Sequence, residues 1–355
     1  MGKELMKGSE VVGASAILAG CNYFFGYPIT PQNEIPEFMA RELPLNNGVF
    51  VQAESETAAI NMVYGAASSG RRVMTSSSSP GIALKQEGIS YCAGAQLPCV
   101  IVSVSRAGPG LGGILTSQAD YNQATRGGGN GDYNVPVYAP ADLQELSELV
   151  QHAFYVADKY RNPVMVLIDG TLAQMMEPVE LIKITYPEID HMQWSVTGRK
   201  DRKNNHIISS IYLVADELEQ HNHWLSKKYE QIVNLEEKAE IYQCEDAEIV
   251  VVAYGTSSRI ARTSIDNLRE KGVRVGMIRP ISLWPFPFSA FENLPCCKYC
   301  LSVELSMGQM VSDVILASKF KYPVTHFGRV GGNMFTNSEL ESEILTRMSE
   351  VATND

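Results

Sequence analysis

The chain reads as an α/β protein whose strands lie in parallel sheets, arranged as two such domains. Three observations predict this. Helical and strand-like segments alternate along most of the chain, the pattern of helices packed on a parallel sheet. Pro98-Cys99-Val100-Ile101-Val102-Ser103-Val104 is a continuous apolar run, as in strands buried on both faces. A second run, Ala247-Glu248-Ile249-Val250-Val251-Val252-Ala253-Tyr254-Gly255, reopens the pattern after a charged, His- and Asn-containing interval. The expected division is an α/β domain over 1–185, a linker with one or two helices over 186–240, and a second α/β domain over 241–355. A length of 355 residues suits two domains with sizeable cores.

In order along the chain, residues 5–20 read as a helix closed by Gly20. Tyr23–Tyr27 is a short strand, and Pro28 and Pro31 force an irregular turn after it. Thr30 in that turn can cap a helix reaching Arg41, with Pro31 at its first position, or can point its hydroxyl outward from the strand end. Asn46-Asn47-Gly48 turns into the extended run Val49-Phe50-Val51. The acidic pair Glu54 and Glu56 then leads into a helix over 57–67 rich in small residues, whose backbone can be approached closely. Arg71–Thr75 is a strand, and Ser79 caps a helix running to Gly94. Val135–Tyr138 and Pro163–Asp169 are strands on either side of a helix over 142–159. In the second domain, a helix over 257–271, a strand over 273–278 and a turn over 283–287 precede two strands at 299–304 and 324–328.

Composition narrows the functions. Lys and Arg total 29 and Asp and Glu 40, a net charge of −11, which gives no footprint for a phosphate backbone and argues against nucleic-acid binding. No apolar run is long enough to cross a bilayer, and the start shows no signal peptide. The seven cysteines are an odd number set mostly among apolar neighbours, as free thiols are, so a cytoplasmic location is expected.

Candidate site residues gather at strand ends. In open parallel sheets ligands collect outside the carboxyl ends of the strands, and Thr30, Glu56, the serines 76–79 and Arg106 all fall there. A pair of carboxylates at such a junction is otherwise solvated or supports the helix dipole. Gly108-Pro109-Gly110-Leu111-Gly112-Gly113 satisfies a dinucleotide fingerprint, but its proline fits a tight turn poorly and it comes late in strand order. Gly131-Asp132-Tyr133 with Asn162 matches Gly-Asp-Gly…Asn except that Tyr133 blocks close backbone approach. Cys296, Cys297 and Cys300 supply too few ligands for a cluster, and no metal site is expected in this chain.

Gly26-Tyr27-Pro28-Ile29-Thr30-Pro31, Glu54-Ser55-Glu56-Thr57-Ala58-Ala59, Thr75–Gly81 and Ser105-Arg106-Ala107-Gly108-Pro109-Gly110 together resemble the α subunit of the 2-oxoacid:ferredoxin oxidoreductases, over nearly the whole chain. The resemblance implies a thiamine-diphosphate pyrimidine-type domain followed by a transketolase C-terminal-like α/β domain. It also implies oxidative decarboxylation of a 2-oxoacid to acyl-CoA and CO₂, with ferredoxin as electron acceptor. The Gln52–Glu56 stretch and the serines before Pro80 resemble the branched-chain member, acting on 3-methyl-2-oxobutanoate. The alternatives are a 2-oxoglutarate-type subunit, a non-catalytic scaffold, or a complete transketolase-like enzyme, against which the missing diphosphate motif counts.

Carried over residue by residue, the resemblance makes Glu56 the carboxylate that bonds N1′ of the aminopyrimidine, with Glu54 in support. Tyr27 and Pro28 line the cofactor, and Thr30 binds substrate near its carboxylate or carbonyl. Arg106 grips the substrate carboxylate with its planar fork; the family often has Arg-Gly-Gly-Pro where this chain has Arg-Ala-Gly-Pro. Thiamine diphosphate is then shared with a β subunit carrying the diphosphate and Mg²⁺ motif. Iron–sulfur clusters belong to partner subunits, with γ and ferredoxin-like δ subunits completing the complex and CoA as co-substrate.

Overall fold

The computed structural model describes residues 2–199 and 202–354. The chain opens with β1 (Glu4–Lys7), α1 (Gly8–Leu18), β2 (Tyr23–Gly26), α2 (Glu34–Glu42), β3 (Val49–Gln52) and α3 (Glu56–Ser68). It continues through β4 (Val73–Ser78), α4 (Ser79–Gly94), β5 (Cys99–Ser105), α5 (Tyr121–Arg126) and β6 (Val137–Tyr138). Then come α6 (Leu143–Tyr160), β7 (Pro163–Asp169), α7 (Gly170–Gln174), β8 (Met176–Val179) and the long α8 (Ala215–Glu236). The remainder is β9 (Ala239–Tyr242), β10 (Ile249–Ala253), α9 (Gly255–Glu270), β11 (Val275–Pro280) and β12 (Ser282–Trp284), followed by β13 (Tyr299–Glu304), α10 (Val311–Ala317), β14 (Val324–Gly328) and α11 (Asn337–Asn354).

Two large sheets and a two-stranded β1-β8 ribbon form among the described residues. A seven-stranded sheet runs β12-β6-β7-β5-β4-β2-β3, parallel throughout except for β12 at its edge. A five-stranded sheet runs β14-β13-β10-β11-β9, with β9 alone antiparallel. The central strands β5 and β7 are buried at every residue, which is why they read as unbroken apolar runs. One apolar cluster extends from Phe25, Ile101 and Leu167 of the larger sheet to Val250, Val252 and Ile278 of the smaller one, so the two share a core.

Local capping follows the sequence in places. Ser55 accepts from the Ala58 N–H at 3.1 Å and starts α3, and Asp142 accepts from the Glu145 N–H and starts α6. Other expectations fail for tertiary reasons. Residues 5–7 are a strand rather than helix, because they pair antiparallel with β8. The strand expected to end at Thr75 runs on to Ser78, since Thr75–Ser78 continue the ladder with Ile101–Val104. Thr30 does not cap a helix. α2 begins only at Glu34, because the turn before it bonds outward: Gln32 Nε2 donates to Tyr27 O and Ser76 Oγ donates to Gln32 Oε1 at 2.5 Å. The turn expected at 283–287 begins as β12, which pairs with β6 of the larger sheet.

Candidate active site

The carboxyl ends of β2, β3, β4 and β5 lie side by side, and the residues expected from sequence gather there. Glu56, at the first turn of α3, is 6% exposed. Among the described residues no hydrogen bond or ion pair uses its carboxylate. It lies against Gly81 in the first turn of α4. A methyl group on Gly81 would stand 2.6 Å from Glu56 Oε1 and collide with Ser77 Oγ, so glycine permits this approach. The hydroxyls of Ser77 and Ser78, buried at the end of β4, also have no partner.

Arg106, at the end of β5, is equally buried and faces the turn after β2. Its Nη1 donates to Thr30 O at 2.8 Å and its Nη2 to Leu111 O at 3.0 Å, while its Nε is buried and unpartnered. Arg106 and Thr30 are thus brought together through the Thr30 main chain. The Thr30 hydroxyl points to the exposed side, with a 3.4 Å contact from Asn33 Nδ2. Tyr27 and Pro28 are exposed beside it, and Glu54 is exposed as well.

Other polar groups lie beside these residues. Asp120 accepts from Ser79 Oγ at 2.6 Å; burial raises its pKa, opposed by that bond, by Ser105 and by the Arg106 charge. Asp120 was invisible because it lies in the long loop after β5, where no periodicity places it. Lys85 is wholly buried on α4, with Nζ donating to Thr75 Oγ1 at 2.9 Å. A cavity of about 750 Å³ opens beside the first turn of α4, between the loop at Gly108–Gly110 and Leu305, Met307 and Val330. Among the described residues no lysine or arginine lines it.

The look-alike motifs have other duties. Asn162 Oδ1 accepts from Lys228 Nζ at 2.8 Å, and its Nδ2 donates to Asn134 O and Pro163 O. Tyr133 folds back on its own turn, accepting from the Gly129 N–H at 3.1 Å. The Gly108–Gly113 loop is followed by no helix until Tyr121. Cys297 and Cys300 sit 3.8 Å apart, buried at the start of β13 with both thiols free. Among the described residues no group of three or more His, Cys, Asp or Glu side chains is placed to hold a metal ion. No helix of the described residues is long and apolar enough to cross a membrane.

Parallel sheets with an uncommitted acid at their carboxyl edge define a ligand-binding α/β protein, and comparison with known proteins gives the family. Residues 14–248 match the family model "Pyruvate flavodoxin/ferredoxin oxidoreductase, thiamine diP-bdg", and residues 247–340 match "Pyruvate:ferredoxin oxidoreductase core domain II". The chain is 48% identical to ketoisovalerate oxidoreductase subunit VorB of Methanothermobacter thermautotrophicus, over 99% of each chain. It is 37% identical to the 2-oxoglutarate synthase subunit KorA of Methanocaldococcus jannaschii, over 96% of this chain and 99% of that one. A solved 2-oxoglutarate:ferredoxin oxidoreductase from Magnetococcus marinus superimposes with a TM-score of 0.87 at 26% identity, over 97% of this chain and 65% of that longer one. The chain belongs to the 2-oxoacid:ferredoxin oxidoreductase family, as an α-type subunit.

The residues present fit one half of thiamine diphosphate. A carboxylate with both oxygens uncommitted, flanked by a glycine surface and orphaned hydroxyls, matches a flat aminopyrimidine that offers ring nitrogen and amino group. They do not fit the diphosphate and its Mg²⁺, for which the one Asn of the look-alike motif is already bonded on both sides.

Proposed function

We propose that this chain supplies the aminopyrimidine half of a thiamine diphosphate site in a complex that oxidises 3-methyl-2-oxobutanoate to acyl-CoA and CO₂. The observation that carries the reading is Glu56, a buried carboxylate with no hydrogen bond or ion pair among the described residues, at the edge where four strands end. A buried carboxylate that receives no hydrogen-bond donor is costly, so such a group is kept for a ligand. When bound, thiamine diphosphate supplies the carbon nucleophile for the 2-oxo carbon and the electron sink for loss of CO₂. Glu56 holds a proton at N1′ of the aminopyrimidine. Tyr27 and Pro28 border the cofactor, Arg106 meets the substrate carboxylate, and Thr30 positions its oxygen.

The branched-chain assignment has physical support as well as the likeness to the ketoisovalerate subunit. A second substrate carboxylate, as in 2-oxoglutarate, calls for a further cation. Arg126 is paired with Asp313 at 2.7 Å, Lys85 is sealed against Thr75, and no lysine or arginine of the described residues lines the adjoining cavity. The remaining parts come from other chains: a β subunit with the diphosphate and Mg²⁺ contacts, and γ and ferredoxin-like δ subunits with iron–sulfur clusters that pass electrons to ferredoxin. CoA takes the acyl group. The seven free thiols suit a reducing cytoplasm.

Turnover of a panel of 2-oxoacids by the assembled complex, with a viologen dye as acceptor, tests this. Highest kcat/KM is expected for 3-methyl-2-oxobutanoate. Preference for 2-oxoglutarate would assign the chain to the other branch, and no CoA-dependent turnover with any 2-oxoacid would leave it a scaffold.

A further inference from the structure

Lys85 has no role in the reading above, yet it is a charge buried at 0% exposure directly behind the site. Of its three N–H donors, one reaches Thr75 Oγ1 at 2.9 Å; no other hydrogen bond or ion pair of the described residues involves it. Gly81 and Lys85 lie one turn apart on the same face of α4, and Glu56 packs on Gly81. We propose that Lys85 is a positioning residue, the buried counter-charge that keeps Glu56 ionised and ready for the aminopyrimidine. This rests on the assignment of Glu56 made above.

The surroundings of the two groups support the pairing. Burial lowers the Lys85 pKa to about 8, and Glu56 is the one charged group that opposes the shift. The other buried charges at these strand ends are engaged elsewhere: Asp120 with Ser79, and Arg106 with Thr30 and Leu111. Glu54 is exposed. Other buried acids near the strand ends are stabilised by hydrogen-bond donors, such as the Thr171, Leu172 and Thr256 N–H groups on Asp169. Glu56 receives no such donor. A cation acting through space favours the carboxylate while leaving both its oxygens free, which a directly bonded donor would not.

The test compares the assembled complex with its Lys85→Met, Lys85→Arg and Glu56→Gln forms. Losing the cation makes Glu56 easier to protonate, so in Lys85→Met the acid limb of the kcat/KM profile should move up by about one pH unit or more. Lys85→Arg keeps the charge and should restore the limb. A second readout needs no turnover: proton uptake on binding thiamine diphosphate and Mg²⁺, from calorimetry at pH 7 in two buffers of different ionisation enthalpy. Uptake should approach about one proton per site in the wild type, fall in Lys85→Met, and vanish in Glu56→Gln. Unchanged limb and uptake in Lys85→Met, with uptake lost in Glu56→Gln, would overturn the role of Lys85 alone. Wild-type uptake and turnover in Glu56→Gln would instead overturn the assignment of Glu56. Should the Lys85 variants fail to assemble, the Lys85 resonance of the ¹³Cε-lysine-labelled full chain, expected to titrate below the surface lysines because burial lowers its pKa, decides the matter. Its midpoint should fall in Glu56→Gln, and an unmoved midpoint would refute the pairing.

Discussion

Glu304 and Glu56 are both buried acids at the carboxyl ends of parallel strands, one on each sheet, and what surrounds them differs completely. Glu304 closes β13 and accepts from Ser302 Oγ, Ser306 Oγ and the N–H groups of Gln309, Met310 and Val311. Its own chain wraps it, and the strand-to-helix turn is built on it. Glu56 sits in the corresponding place after β3 and receives no donor. The same type of side chain at the same kind of junction is therefore a structural keystone in one sheet and an open acceptor in the other. Burial alone does not distinguish them; the donor count does.

The sharpest way to break that comparison is Glu56→Gln. It should lower turnover by about 10²–10⁴-fold, the usual cost of losing a positioned acid–base group, while the complex still assembles. Steady-state rates on purified complex check this, and near-normal turnover would put Glu56 in the same structural class as Glu304. Arg106→Ala comes next. It should weaken use of the 2-oxoacid by about 2–5 kcal/mol in kcat/KM if a buried substrate carboxylate loses its partner, and unchanged kcat/KM would remove Arg106 from the site.

Glu304→Ala should act in the opposite sense, on stability first. It strands several buried N–H and O–H groups, so denaturant unfolding should show a loss of about 3 kcal/mol or more. A stability within about 0.5 kcal/mol of the wild type would mean that the wrapping is incidental. The smallest effect is expected for Thr30→Val, about 1 kcal/mol in kcat/KM for one neutral hydrogen bond. A loss as large as that of Arg106→Ala would show the hydroxyl to be more than a secondary contact.

Much of the placement of the candidate residues was legible in the sequence because it is local. Ser55 followed by Glu56 at the start of a small-residue helix places the acid, and an unbroken apolar strand places Arg106 at its end. Lys85 was not legible as a buried group. By polarity alone Leu84 would face inward and Lys85 outward, yet Leu84 is 57% exposed and Lys85 is sealed. α4 packs between β4 and α3, and that packing sets which face is inside, overriding the local pattern. The fork of Arg106 was read as free for substrate, whereas carbonyls from two loops occupy part of it. Loop carbonyls leave no mark on the periodicity of a sequence.

The small strand Ser282–Trp284 bears on how the chain behaves when it is cut. It lies well past the polar interval, yet it forms the edge of the larger sheet against Val137–Tyr138. Gln118, from the other side of that interval, donates to Tyr254 O and accepts from the Leu305 N–H. A protease entering at the exposed residues around Ile211 and Leu213 would sever the backbone without separating what it joins. The two fragments would stay interlocked through a shared sheet edge and a shared core, as a nicked subunit rather than two independent pieces.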